Sequence, residues 1–385
     1  MRRPTLAYLR TESGSGLVLP IAAVAAIGLA TSGYDVHYRA FLAMPVEARL
    51  AGFSETLAVA DWARAALMPV FFLVLGLQLK FELLRGELSN PRRLALPALA
   101  ALGGFVIPAV IALAVSLIWT GRTGGWMIGC ATDGAAALAA LMLAGPRLAP
   151  PLRVLLIAVA LIDNLVAVTL TAILRVGALH PPMLAGAGAA LAGLAFLSRW
   201  RRAPLLFYAA GFIAVWGFTL KSGLDPALAG IACALTVPIG SRRVGQDSLL
   251  RYFMESLHPY VAFAVLPFFV LTASGFSLHH FHPRELVSPA PMAVMLALAI
   301  GKPLGVFGIC LAAISLKWAR RPTGTTWRDL AGFAALCGVG FTVSYYVADA
   351  DGEAAPTIRA AVLIGSALSA MAGGWLLGRA RPAET

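Results

Sequence analysis

Charge is what this sequence has least of. Only 12% of its 385 residues are Asp, Glu, Lys or Arg, against roughly 25% in an average soluble chain. Hydrophobic residues make up 59%, and the mean hydropathy is +0.82. That shortage excludes a single soluble globule, which would need less apolar sequence and more charge to cover it. Acidic residues are scarcer still, 18 against 30 Lys and Arg. Cysteine is rare: Cys130, Cys233, Cys310 and Cys337 each sit inside an apolar run, and no CxxC occurs. A disulfide framework and a thiolate metal centre are therefore not expected, and the four read as small packing residues. A polar stretch long enough for a separate soluble domain is also lacking. The longest loop, about 33–62, contains VEARLAGFSETL, which suggests strand-turn-strand.

Long apolar runs are what fill the chain. They occur near 15–32, 63–80, 94–119, 125–145, 154–174 and 183–198, then near 204–220, 224–239, 257–275, 291–315, 330–348 and 358–378. Twelve such runs of roughly bilayer-spanning length predict an all-α polytopic membrane protein. The first follows a basic leader, Met1–Arg10, and is read as an uncleaved helix rather than a signal peptide, because eleven more follow.

The basic residues give an independent expectation. With twelve spans, both termini share a side with alternate loops, and that side holds 21 basic residues, including Arg92, Arg93, Arg242, Arg243, Arg320 and Arg321. The opposite loops hold seven, and one carries Asp349, Asp351 and Glu353. By the positive-inside rule both termini are expected in the cytoplasm. The net charge of +12 is thus topological, and no nucleic-acid partner is implied. The run His279-His280-Phe281-His282 falls in an outer loop and reads as exposed side chains rather than a metal site.

Three ionisable groups lie deep in the runs: Asp133, Asp163 and Lys302. A charge at a helix centre costs about 2.5–3.5 kcal/mol on insertion scales, so each should face a partner or a wet cavity. Thr132 and Asp133 are flanked by Gly129 and Gly134; the eleventh run places Gly338, Gly340, Thr342 and Ser344 at its centre. Both are places where a helix can break. The two runs hold corresponding positions in two three-run units, 94–174 and 291–378, with an odd-to-even shift that inverts one of them. Paired interrupted helices of this kind point to a midplane site in a secondary transporter. Asp133 can offset positive helix N-termini there, and Lys302 the negative C-termini.

The segments ALMPVFFLVLGLQLKFELLRG (66–86), ATDGAAALA (131–139), ALIDNLVAV (160–168), LKSGLDPALAG (220–230), LHPYVAF (257–263), IGKPLG (300–305) and GTTWRDLAGFAALCGVGFTVS (324–344), in that order, resemble the NhaA-type sodium/proton antiporter family. The resemblance implies twelve transmembrane helices in inverted repeats, with helices 4 and 11 broken and crossed. It implies core units at 94–177 and 288–379, an interface part at 13–84 and 183–275, and a homodimer contacting through the 33–62 loop. It further implies a bacterial inner membrane, with sodium or lithium leaving as protons enter and no cofactor. Asp163 matches the first of the family's paired aspartates, Thr132 and Asp133 the broken-helix pair, and Lys302 the tenth-helix lysine.

Departures from the family pattern are specific. The tandem aspartates are here Asp163-Asn164, so the second carboxylate is missing; electroneutral relatives carry one Asn and one Asp in the opposite order. Gln78 and Phe81 stand where a glutamate and an arginine are usual, and Asp225 where histidine is common. Exchange through one site needs a group that proton and cation both claim, and Asp163 is the candidate. If Lys302 pairs with it, an arriving cation must displace the ammonium, with Asn164 as a neutral oxygen ligand. A same-fold transporter of another solute, or one that has lost antiport, is the second reading. An intramembrane aspartyl protease using Asp133 and Asp163 as a dyad is the third; Lys302 and the lack of a GxGD stretch argue against it.

Overall fold

The computed structural model describes residues 4–50, 53–121, 125–144, 150–199, 205–240, 248–279, 281–350, 352 and 355–378. Among the described residues, seven helices are long and apolar enough to cross a bilayer: Val59–Leu84, Pro91–Thr120, Pro150–Leu174, Leu205–Ser222, Leu249–Ala273, Pro289–Ser315 and Pro356–Gly378. Two bent pairs, Gly16–Thr31 with Asp35–Ala43 and Trp327–Leu336 with Phe341–Ala350, bring the number to as many as nine. The remaining apolar runs form the shorter helices Gly134–Ala144, Pro181–Leu197 and Ala227–Thr236. At ~1.5 Å per residue a ten-residue helix covers about half of a ~30 Å hydrocarbon layer. Length and composition therefore yield a multi-pass membrane protein with fewer uninterrupted crossings than the twelve runs predict.

Local chemistry sets many of the ends. Proline opens Pro91–Thr120, Pro181–Leu197, Pro289–Leu296 and Pro356–Gly378, where its missing N–H has no helical partner to lose. The Asn90 side chain accepts from Arg92 N at 3.0 Å, and Gly121, at φ +65°, closes the other end of that helix. Thr326 and Asp329 form a reciprocal capping box at the head of Trp327–Leu336. The TTWRD part of the 324–344 segment thus has a plain structural use.

Packing divides the chain into two compact units. One comprises Met1–Asp35, Glu87–Ala167 and Ala273–Thr385; the other comprises Val36–Gly86 and Val168–Thr272. Pro91–Thr120, Gly134–Ala144 and Pro150–Leu174 follow one another in one half of the chain, and Pro289–Ser315, the bent pair Trp327–Leu336 with Phe341–Ala350, and Pro356–Gly378 follow in the other. In the first unit, helix Pro4–Thr31 packs on Gly134–Ala144 so closely that a Cβ at Gly16 would lie 2.1 Å from the Ala135 carbonyl oxygen.

The second unit contains the one pair of strands among the described residues, Pro45–Leu50 and Phe53–Ala58, antiparallel with Pro45 opposite Ala58 and Leu50 opposite Phe53. The turn residues 51–52 lie outside the described residues. Trp62 Nε1 donates to the Val46 carbonyl at 2.8 Å, and Lys221 lies 3.4 Å from Glu55, so the hairpin is tied to two helices of its own unit. On the hairpin, Arg49 beside Glu47 holds that exposed carboxyl below the usual carboxylate range. In the same unit Lys80 donates to the Leu235 and Val237 carbonyls at 2.6 Å each, satisfying the C-terminal end of Ala227–Thr236.

Among the described residues, three helices each contain a five-residue π turn: Ala63–Leu67, Val261–Val265 and Ala297–Gly301. Each ends two residues before a proline: Pro69, Pro267 and Pro303. A proline inside a helix cannot donate to the carbonyl four residues back, and its ring collides with that carbonyl. The wider π turn makes room for the ring but leaves carbonyls without a helical donor. Two of these have partners from elsewhere: Trp216 Nε1 donates to Ala65 O at 2.6 Å, and Ser369 Oγ donates to Leu298 O at 3.0 Å.

His280, within the histidine run, lies outside the described residues. Among those described, no three His, Cys, Asp or Glu gather as a metal site would require.

Candidate functional site

The eleventh run is broken as expected, whereas the fourth holds unwound backbone before a single α-helix. In the fourth run a short 3-10 turn, Ile128–Cys130, gives way to extended backbone at 131–133 before Gly134–Ala144 begins. In the eleventh, Trp327–Leu336 and Phe341–Ala350 are separated by unwound residues 337–340 and bent by 40°. The two unwound segments are bonded to each other. Asp133 N donates to Val339 O at 2.6 Å, and Thr132 Oγ1 lies 2.8 Å from Cys337 O.

Asp133 caps two helices at once. Its Oδ1 accepts from Ala136 N and its Oδ2 from Thr342 N, both at 3.0 Å. One carboxylate thereby meets the amide ends of Gly134–Ala144 and Phe341–Ala350, where partial positive charge concentrates.

Lys302 and Asp163 form the buried ion pair, Nζ to Oδ2 at 2.8 Å, with side chains 0% and 1% exposed. Lys302 also donates to Thr132 Oγ1. That hydroxyl has one proton and two acceptors in reach, Cys337 O at 2.8 Å and Asp163 Oδ2 at 3.0 Å. Lys302 thus touches an acid directly and the carbonyl end of the broken helix only through Thr132. Asn164 turns its Oδ1 to Thr132 N at 3.3 Å. Asp163 Oδ1 is buried and has no hydrogen-bond partner among the described residues.

Close backbone approach brings these groups together. At the crossing of Pro91–Thr120 with Lys302–Ser315, a Cβ on Gly103 would lie 2.4 Å from Gly305 O, and one on Gly305 would lie 2.1 Å from Gly103 O. The helices touch main chain to main chain one turn from Lys302. Gly104, next along, faces Asp163 Oδ2.

The structure therefore gathers Thr132, Asp133, Asp163, Asn164 and Lys302, and gives the two acids different partners. A lysine holds one and helix-end amides hold the other, so no proton is shared between them as a protease dyad requires. Two participants were not foreseen from sequence. Ser366 Oγ accepts from Gly340 N and Phe341 N at 3.2 Å each, and Ser369 holds the Leu298 carbonyl. Their only signal is a pair of hydroxyls three residues apart in the apolar run GSALSA. The departures Gln78, Phe81 and Asp225 belong to the other unit. Gln78 is buried, Phe81 packs against an apolar cluster that includes Leu77 and Leu250, and Asp225 pairs with Arg64 at 3.2 Å.

A multi-pass helical protein with a buried charge pair where two interrupted helices meet belongs to the class of secondary transporters. The sequence model of the family described as Na+/H+ antiporter 1 matches residues 6–377. Over 370 residues the chain is 40% identical to Na(+)/H(+) antiporter NhaA 2 of Pseudomonas syringae pv. syringae, covering 95% of this chain and 92% of that protein. It is 38% identical over 382 residues to Na(+)/H(+) antiporter NhaA of Paramagnetospirillum magneticum, covering 98% and 97%. It is 36% identical over 380 residues to Na(+)/H(+) antiporter NhaA 2 of Magnetococcus marinus, covering 96% of each. The chain belongs to the Na+/H+ antiporter 1 family.

Proposed function

We propose that this protein is a bacterial inner-membrane antiporter that exchanges sodium or lithium for protons at Asp163. The observation that carries the reading is the asymmetry of that carboxylate. Oδ2 is held by Lys302 and Thr132, while Oδ1 is buried without a partner among the described residues. A cation can approach Oδ1, with Asn164 Oδ1 as a nearby neutral oxygen, and displace the ammonium; a proton competes for the same group. Competition for one carboxylate couples the two fluxes. With Asn164 in place of a second acid, the cycle exchanges one cation for one proton.

Twelve crossings, cytoplasmic termini and inverted repeats complete the proposal. The core lies at 94–177 and 288–379, the interface part at 13–84 and 183–275, and the homodimer contact at the hairpin. The basic-residue asymmetry supports the orientation of the termini, and the repeated order of helices in the first unit supports the inverted repeats; the interface part and the dimer contact follow from the family resemblance.

Proteoliposomes given a pH jump with sodium, lithium and potassium in turn test the exchange. Cation-stimulated proton flux in wild type that vanishes in Asp163→Asn is the expected result. Flux that survives in Asp163→Asn rejects the site. Absence of flux with every cation, in wild type and in Asn164→Asp, favours a transporter of another solute, the reading that the missing second carboxylate keeps open.

A further inference from the structure

The π turn Ala297–Gly301 immediately precedes Lys302, and the Lys302 N–H closes it by donating to Ala297 O. The next bond of that pattern would run from residue 303 to Leu298 O. Residue 303 is proline, which has no N–H. Leu298 O is left without a helical donor at a place where Leu298 is fully buried, and an unsatisfied buried carbonyl is costly. Ser369, itself fully buried, supplies the missing donor at 3.0 Å from a different helix. The break of the eleventh run presses on the same spot. A Cβ at Gly338 would lie 2.3 Å from Leu298 O and 2.4 Å from Ser369 Oγ.

We infer that Ser369 is a positioning residue for transport: its hydroxyl stands in for the N–H that Pro303 lacks and, by holding the Leu298 carbonyl, fixes the direction in which Lys302 meets Asp163. An extra residue in one turn rotates the C-terminal part of a helix by about 100° relative to its N-terminal part. The azimuth of Lys302 therefore depends on the π turn keeping its form. Ser369 touches neither Asp163 nor Lys302, so it acts through the turn. The inference rests on Asp163 being the cation seat, with the ammonium as the competitor a cation must displace.

Loosening that competitor has a consequence that ordinary destabilisation lacks: the cation binds more easily. Ser369→Ala is expected to lower the KM for sodium or lithium roughly threefold to tenfold, the equivalent of one neutral hydrogen bond, without raising kcat. Ser369→Cys, of similar size but a weaker donor, should fall between. In a Pro303→Ala background residue 303 regains an N–H for Leu298 O, so the effect of Ser369→Ala should shrink. Both constants are read from proteoliposome exchange, and the cation concentration giving half-maximal thermal shift in detergent provides binding without turnover. An unchanged KM and half-shift concentration in Ser369→Ala overturns the inference, as does the same change with and without Pro303. If Ser369→Ala does not reach the membrane, wild-type constants in Ser369→Cys overturn it equally. Asp163→Asn is run alongside. Exchange or a cation-dependent shift surviving there rejects the cation seat itself, a failure distinct from a wild-type Ser369→Ala.

Discussion

Asp133 and Thr342, 209 residues apart, are joined by a single 3.0 Å bond from a backbone amide to a carboxylate oxygen. The other oxygen of that carboxylate caps its own helix through Ala136. This acid fastens one interrupted run to the other and neutralises the positive end of each helix, which is a structural duty.

Asp133→Asn removes the charge and turns one of the two N–H acceptors into a donor, so one of the two caps is lost. Each lost cap is worth about 1 kcal/mol, so the variant should melt at a lower temperature in detergent even without cations. A melting curve equal to wild type would show that the double cap contributes nothing.

Removing Lys302 strands a buried carboxylate. Breaking one partner of such a pair costs about 3–5 kcal/mol, so Lys302→Ala should lower thermal stability as well as exchange. Lowering the pH, which lets Asp163 take a proton in place of the ammonium, should recover part of the loss. Stability that does not respond to pH would argue that the ammonium is not what compensates Asp163.

Asn164→Asp adds a second anion beside Asp163 with little change in shape. It should tighten sodium or lithium binding and make transport respond to membrane potential, at about 2.3 kcal/mol per charge per 100 mV. Wild-type exchange should be insensitive to potential. Wild-type flux that generates a potential of its own would defeat the one-for-one cycle.

Orientation can be read with single cysteines, because the four native ones are buried. Ala355→Cys should react with a membrane-impermeant maleimide in intact cells, and Arg321→Cys only in inverted vesicles. The reverse pattern would place the termini outside.

If the proposed dimer contacts through the hairpin, the intact protein is expected to be a dimer in detergent, and excising residues 45–58 should leave a folded monomer. Dimers that persist would move the contact elsewhere.

How much was legible beforehand depended on what each residue costs in a membrane. Asp133, Asp163 and Lys302 stood out because a charge in an apolar run demands a partner, and Thr132 and Asn164 because they adjoin those charges. The breaks at 131–133 and 337–340 were announced by polar residues and glycine together. Which partner Lys302 chooses was not legible. A direct bond to Asp163 and an indirect one to the Cys337 carbonyl differ only in how three helices cross, and Gly103 and Gly305 settle that by letting the main chains touch. The hairpin could be read from its alternation and turn. Ser366 and Ser369 could not, because a serine in an apolar helix costs little and its own helix usually satisfies it. The π turns were in principle foreseeable from Pro69, Pro267 and Pro303, although a proline in a helix permits a kink as readily as a widened turn.

The main-chain contact at Gly103 and Gly305 also bears on the speed of the cycle. With main chains in contact and no side chains between them to deform, sliding the two helices past each other at that point is disfavoured, and so is withdrawing Lys302, one turn away, from Asp163 by moving its helix along its axis. Releasing the carboxylate is left to rotation about the bonds of the lysine side chain. Such rotations belong to a far faster regime than the microsecond-to-millisecond collective motions of whole helices. On the proposed cycle, with Asp163 as the cation seat, the arrival of a cation is therefore expected not to be the slow event, and the turnover rate is expected to follow the later rearrangement that exposes the site to the other side of the membrane.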